Sequence, residues 1–334
     1  MCELQLIPDY PWLNIFYKNI IYQFTKKKNH HAFIICSIHG IGTIFLINKI
    51  IQWLLCTNKN NYYSCNICKN CTLLIQGYHP DVYIIKKDKL NYNISIEKIR
   101  DIIKFINMKA YQDMGKIIWL PDANMLNISS SNGLLKIIEE PLQNTWFFLQ
   151  SNHINTLLPT ITSRCQIWHI CPPNEYIGLS WLQKKLYPTT YNINELLTAL
   201  RINYYAPINA YKLLNSIFWD NRKKLYTTFI IAIKCDILKL LNILNNVNIL
   251  LYLNWIYILF IDIIKIHCNI NTNFIYNLDQ IDLIYKISTI ITKKQILLMI
   301  KKILYYRNIV ININNINREL IIVQLLLSLE KILK

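Results

Sequence analysis

The chain has 334 residues, of which 36 are Lys or Arg and 19 are Asp or Glu, giving a formal charge of +17 at pH 7. That length predicts two or three domains, at least one with a large core. The charge suits nucleic acid or another polyanion, but the lysines are scattered rather than banded, and no basic stripe with interleaved aromatics argues for stand-alone nucleic-acid binding.

The abundance of Ile, Asn, Lys and Tyr matches A/T-rich codon use, which by itself raises the charge. Glu3, Asp9 and Pro11 stand where a secretory signal needs a basic start and an apolar core. The ten cysteines are therefore expected in the reducing cytoplasm, without disulfides. The longest apolar run, Ile249 to Ile261, is closed by Asp262. It is shorter than the roughly 20 residues of a spanning helix and reads as a buried helix, with no membrane partner.

In chain order, Tyr10-Pro11-Trp12-Leu13 opens the ordered part, and residues 13–25 read as a helix with Leu13, Ile15, Phe16, Ile20 and Phe24 on a broad apolar face. His31 to Ile38 is a continuous apolar run of strand length, as in a parallel strand covered on both sides. Gly40-Ile41-Gly42-Thr43 and a helix over 44–55 follow. Asp81 to Lys86 is a second strand. Ser95 is placed to cap a helix carrying Ile96, Ile99, Ile102, Ile103 and Ile106, with Glu97 in its first turn. Lys116 to Leu120 is a third strand. Leu134, Leu135, Ile137 and Ile138 mark a helix stopping before Pro141. Trp146 to Ser151 and Gln166 to Ile170 are the fourth and fifth strands. Strands alternating with helices predict a doubly wound α/β domain. Pro172-Pro173 marks a boundary, beyond which the chain reads as all-α: a small unit to about residue 215, then long helices to 334.

Between Cys56 and Cys71 the α/β pattern breaks. Cys56, Cys65, Cys68 and Cys71 have a C-x8-C-x2-C-x2-C spacing. Two-residue gaps let successive thiolates converge on one tetrahedral ion, so a closed, structural zinc site is expected, with Lys59 and Lys69 favouring thiolate.

The glycine turn lacks what a phosphate-binding loop uses. Thr43 and Ile44 occupy the places of the lysine that reaches the β/γ-phosphates and the hydroxyl that holds Mg²⁺. The third strand runs into Pro121-Asp122 instead of an acidic pair. Gly40, Gly42, Thr43 and Ile44 thus read as a degenerate loop that binds no ATP. Thr162-Ser163-Arg164-Cys165 lies in a short turn between two strands. There Arg164 is either an arginine finger for a neighbour's nucleotide or a solvated surface residue. His30-His31 read as capping or surface residues, His79-Pro80-Asp81 as a turn, and Glu139-Glu140-Pro141 as a helix end.

These residues together resemble the delta-prime family of bacterial clamp-loader subunits of DNA polymerase III. The resemblance runs through Tyr10-Pro11-Trp12-Leu13, Gly40-Ile41-Gly42, the cysteines and Gly77-Tyr78-His79-Pro80-Asp81. It continues through Leu134-Leu135-Lys136-Ile137-Ile138-Glu139-Glu140-Pro141, Trp146-Phe147-Phe148-Leu149, Ser163-Arg164-Cys165 and Asn317-Arg318-Glu319-Leu320. It implies an AAA+ domain over 1–171 with a zinc module at 56–71, a helical lid over 172–215 and a helical collar over 216–334. It also implies a heteropentameric ring with gamma/tau motor and delta subunits, acting on a sliding clamp and primed DNA in replication. In that ring this subunit hydrolyses nothing, and Arg164, with Ser163 and Cys165, reaches the ATP of an adjacent motor subunit. The family's lid Gly-Ser is here Tyr205-Ala206-Pro207. The competing readings are an ATP-hydrolysing motor subunit and a zinc-dependent DNA-binding module.

Overall fold

The computed structural model describes residues 7–26, 30–85, 94–112, 114–189, 191–244, 248–312 and 317–333. Helix α1 (Asn14–Thr25) follows a 3-10 turn at Pro11–Leu13, leads to strand β1 (Ala32–Ser37), and is followed by α2 (Thr43–Leu55) and α3 (Lys69–Gln76). Then come β2 (Val82–Ile84), α4 (Ile96–Asn107), β3 (Lys116–Leu120), α5 (Ile128–Glu139), β4 (Thr145–Ser151), the one-turn α6 (Pro159–Thr162) and β5 (Gln166–Ile170). The five strands form one parallel sheet in the order β2-β3-β4-β1-β5.

The continuous apolar character of the central strands follows from helices on both faces. On one face Ile34, Ile118, Phe147 and Leu149 join Ile99 and Ile102 of α4 and Leu134 and Ile138 of α5 in a single core. On the other, Phe33 stacks on Phe148 at 5.5 Å and packs at a tilt against Phe24 of α1 at 5.3 Å, and Phe24 in turn meets Trp53 of α2. The register Phe33↔Phe148 and Ile34↔Leu149 keeps each set on its own face, because a slip of one residue would exchange them.

Two local expectations need correction, and one helix gains its start. Strand β2, at the sheet edge, spans only Val82–Ile84; Lys86, the expected end, lies outside the described residues. Ser95 occupies the N-cap position of α4, but its side chain makes no cap hydrogen bond. Helix α5 starts six residues before its apolar ladder, because the Asn127 side chain accepts the Ser130 amide at 2.7 Å.

The chain divides into two compact units, Met1–Pro173 and Asn174–Lys334. The second is helical: α7 (Glu175–Leu186), α8 (Ile193–Ile202), α9 (Pro207–Leu214), α10 (Ile217–Lys234), α11 (Leu241–Leu244), α12 (Ile249–His267), α13 (Ile281–Ser288), α14 (Lys293–Asn312) and α15 (Arg318–Leu333). Helix α12 does not end near Ile261. At 19 residues it is long and apolar enough to cross a membrane by length and composition alone. Its Asp262 is fully buried, and that carboxylate accepts the Tyr276 and Asn277 amides, each at 2.9 Å. Fully buried Trp255 and Phe260 on the same helix place it in a protein core.

Candidate functional site

The C-terminal end of β1 carries the glycine loop. Gly40 and Gly42 have φ of 91° and 98°, a region that L side chains rarely adopt. This left-handed backbone lets the chain reverse from strand into α2 within a few residues. The loop is pinned from outside by the Trp12 indole, whose Nε1 donates to the Ile41 carbonyl at 2.9 Å. Tyr10 packs on Phe45 with ring centroids 4.6 Å apart. Thr43 is 3% exposed, and its hydroxyl lies 2.7 Å from that of Ser37, itself buried. The side chain at the position of the missing lysine therefore points back to the strand end. Ile44, at the magnesium-ligand position, is half-exposed and apolar. At the ends of β3 and β4, the Asn124 side-chain carbonyl accepts the hydroxyls of Ser151 and Thr156, each at 2.6 Å.

Arg164 does not sit in a simple strand-to-strand turn. It follows the one-turn helix α6, and its amide donates to Ile161 O at 3.1 Å, which closes the turn before β5. Ser163 bonds back to Thr160 O at 3.0 Å. Cys165 is in the core, and burial pushes its thiol up to about 12. The three residues thus divide into turn, presented cation and anchor. The Arg164 side chain is 43% exposed. Its Nε forms an ion pair with Glu139 Oε1 at 2.6 Å, and its Nη1 donates to Thr160 O at 3.2 Å. Glu139, which sequence reasoning left as a helix end, is the nearest charged partner of the finger candidate. Twenty-five residues of separation and a strand between them hide that pairing from any sequence pattern.

The four cysteine sulfurs lie within 4.8 Å of one another. Cys56 to Cys65 is 3.5 Å, Cys65 to Cys71 is 4.0 Å, and Cys68 to Cys56 is 4.0 Å. A tetrahedron of roughly 2.3 Å metal–sulfur bonds has sulfur–sulfur edges of roughly 3.8 Å, so the donor set fits one metal ion. Burial works to raise the Cys68 thiol, but hydrogen bonds with the Cys71 backbone and with Thr57 outweigh it and hold the thiol at about 5. Backbone hydrogen bonds with Cys68 and Ile67 lower Cys65 as well, while burial raises Cys56 and Cys71. Of the two lysines expected to help, Lys59 is attracted by Cys56, while Lys69 turns to another partner. Lys69 donates to the Tyr111 hydroxyl at 2.9 Å, and Lys59 lies over the Trp53 ring at 4.6 Å.

A scaffold joins this cluster to the sheet. His79, read from sequence as part of a turn, is buried. Its Nδ1 accepts the Asp81 amide at 3.1 Å, so Nε2 carries the proton and donates to Asn70 Oδ1, also at 3.1 Å. Asn70 Nδ2 then donates to Leu55 O at 2.8 Å. Burial holds the His79 imidazole below its ordinary range, hence neutral. His31 also works structurally, with Nε2 2.6 Å from Ile138 O at the end of α5.

A family profile described as DNA polymerase III, delta subunit, matches residues 13–174, and a second, for the C-terminal part of that subunit, matches 216–331. The DNA polymerase III subunit delta' of Yersinia pestis is 32% identical over 96% of this chain and 95% of its own length. That of Buchnera aphidicola subsp. Schizaphis graminum is 37% identical over 97% of this chain and 98% of its own. Among solved structures, a gamma-subunit-related protein of DNA polymerase III from Thermotoga maritima aligns with a TM-score of 0.45 at 18% identity, over 99% of this chain and 100% of that one.

Proposed function

The chain belongs to the delta-prime subunit family of DNA polymerase III, and on that premise we propose that it is a non-hydrolysing clamp-loader subunit that supplies Arg164 to the ATP of an adjacent motor subunit. The observation that carries this reading is Thr43. Its side chain is buried against Ser37 at the place where a phosphate-binding loop extends a lysine. Without that cation and without a magnesium ligand at Ile44, this loop lacks the two groups that neutralise a bound triphosphate. The same chain presents an exposed guanidinium at the edge of the sheet. A guanidinium brought to a γ-phosphate across a subunit boundary stabilises transition-state charge, and only when the two subunits pack correctly.

In this reading residues 1–171 are the AAA+ unit, 172–215 the lid and 216–334 the collar. The partners are gamma/tau and delta subunits in the cytoplasm, with the sliding clamp and primed DNA engaged through the complex. Cys56, Cys65, Cys68 and Cys71 would hold a structural zinc ion. Bound there with all four positions filled by thiolates, the ion cross-links a polar loop to α2 and α3 and leaves no site for catalysis.

The test is Arg164→Ala in the reconstituted complex. An arginine finger contributes about 10³–10⁵ to turnover at the site it serves. The DNA-stimulated ATPase should lose that site's share, with the mass of the complex unchanged. Unaltered turnover would remove the finger assignment.

A further inference from the structure

The finger candidate is held by a residue to which the proposed function assigns no part. Glu139 ends α5, just before Glu140 and Pro141. A carboxylate in the last turn of a helix opposes the helix dipole, so its placement there calls for a cation. That cation is Arg164, 2.6 Å away at Nε. The base of Glu139 is itself fixed. The preceding carbonyl, Ile138 O, lies 2.6 Å from Nε2 of His31 at the start of β1, and the Ile138 side chain is buried in the sheet core.

On the other side of the guanidinium, Nη1 donates to Thr160 O at 3.2 Å and approaches Ser163 Oγ at 3.4 Å. Two of the three guanidinium nitrogens are therefore engaged from two different elements, α5 and α6. The third, Nη2, makes no hydrogen bond among the described residues. No hydrogen bond joins the carboxylate to Nη1 or Nη2, so it does not form a two-bond fork across the outer edge, where a phosphate would bind.

We propose that Glu139 is the positioning residue for Arg164: it clamps the inner nitrogen of the guanidinium so that Nη2 is aimed outward before a neighbour's nucleotide arrives. This rests on the finger reading and deepens it. A preoriented donor loses less side-chain freedom when it meets developing charge. Both side chains are about half-exposed, so the pair is screened and its loss has a modest effect.

The experiment is a double-mutant cycle in the reconstituted complex, read as DNA-stimulated ATPase with ATP varied. Glu139→Ala should lower the part of kcat that Arg164→Ala abolishes by roughly twofold to fivefold, which is what an exposed ion pair contributes. KM for ATP and the mass of the complex should be unchanged. Glu139→Gln keeps an acceptor at the same reach and should recover at least half of the loss. In an Arg164→Ala background, Glu139→Ala should add nothing.

The inference is overturned if Glu139→Ala leaves kcat unchanged or raises it, the latter meaning that the carboxylate restrains the finger. It is also overturned if Gln is no better than Ala, or if the same loss persists without Arg164. A silent Arg164→Ala would instead sink the finger reading itself, so the two failures are separable.

Discussion

Restoring the lysine to the glycine loop should not restore nucleotide binding. In Thr43→Lys combined with Ile44→Thr, the new side chain begins at a backbone position whose present occupant is 3% exposed and bonded to Ser37. If the ammonium stays inside, it is buried beside a hydroxyl with no counter-charge. If it swings out, the Ser37 hydroxyl, 4% exposed, loses its partner, at a cost of about 1–3 kcal/mol. Either route destabilises the α/β unit. Urea denaturation followed by tryptophan fluorescence should place the midpoint of that unit lower by on the order of 1 M. Equilibrium dialysis with ATP and Mg²⁺ should detect no binding in the micromolar range. An unchanged midpoint together with micromolar binding and turnover would refute the claim that this loop is closed by its own packing.

Three further outcomes are expected. Bulk metal analysis of fresh protein should find about one zinc per chain. Cys71→Ser should abolish it and open the 56–76 segment to proteolysis while the sheet still melts cooperatively; iron, or no metal in fresh protein, would contradict this. His79 has a folded pKa below its ordinary value because it is buried, so its contribution to stability is complete above about pH 6.5 and is withdrawn as pH falls below that value. His79→Gln should flatten the acid-side loss relative to the unaltered chain, and parallel curves would remove His79 as its source. Tyr204, half-exposed, adopts φ of 54°. Relieving that left-handed strain with Tyr204→Gly should raise the melting temperature of the helical unit by a few degrees, about 0.5–1 kcal/mol; a fall would mean its ring contacts outweigh the strain.

Much of the α/β unit could be read from the chain because its strands are apolar on both faces. Lys116 to Leu120 and Gln166 to Ile170 need no adjustment. What periodicity left open lies where polar contacts override it. Helix α5 begins at a side-chain cap on Asn127, ahead of its Leu134 ladder. A single helical turn at Pro159–Thr162 separates Arg164 from β4, where an uninterrupted turn was expected. The cysteine cluster was legible because its four members lie within a short segment. The His79–Asn70 link and the Glu139–Arg164 pair were not, because each depends on tertiary contacts with no periodic signature.

The most direct test is a structure of the complex formed by mixing this chain with the proposed motor and delta subunits and a non-hydrolysable ATP analogue. The account predicts Nη2 of Arg164 within hydrogen-bonding distance of a γ-phosphate held by the adjacent motor subunit, with no nucleotide at Gly42. Nucleotide seated against Gly42, with Arg164 facing open solvent, would contradict it.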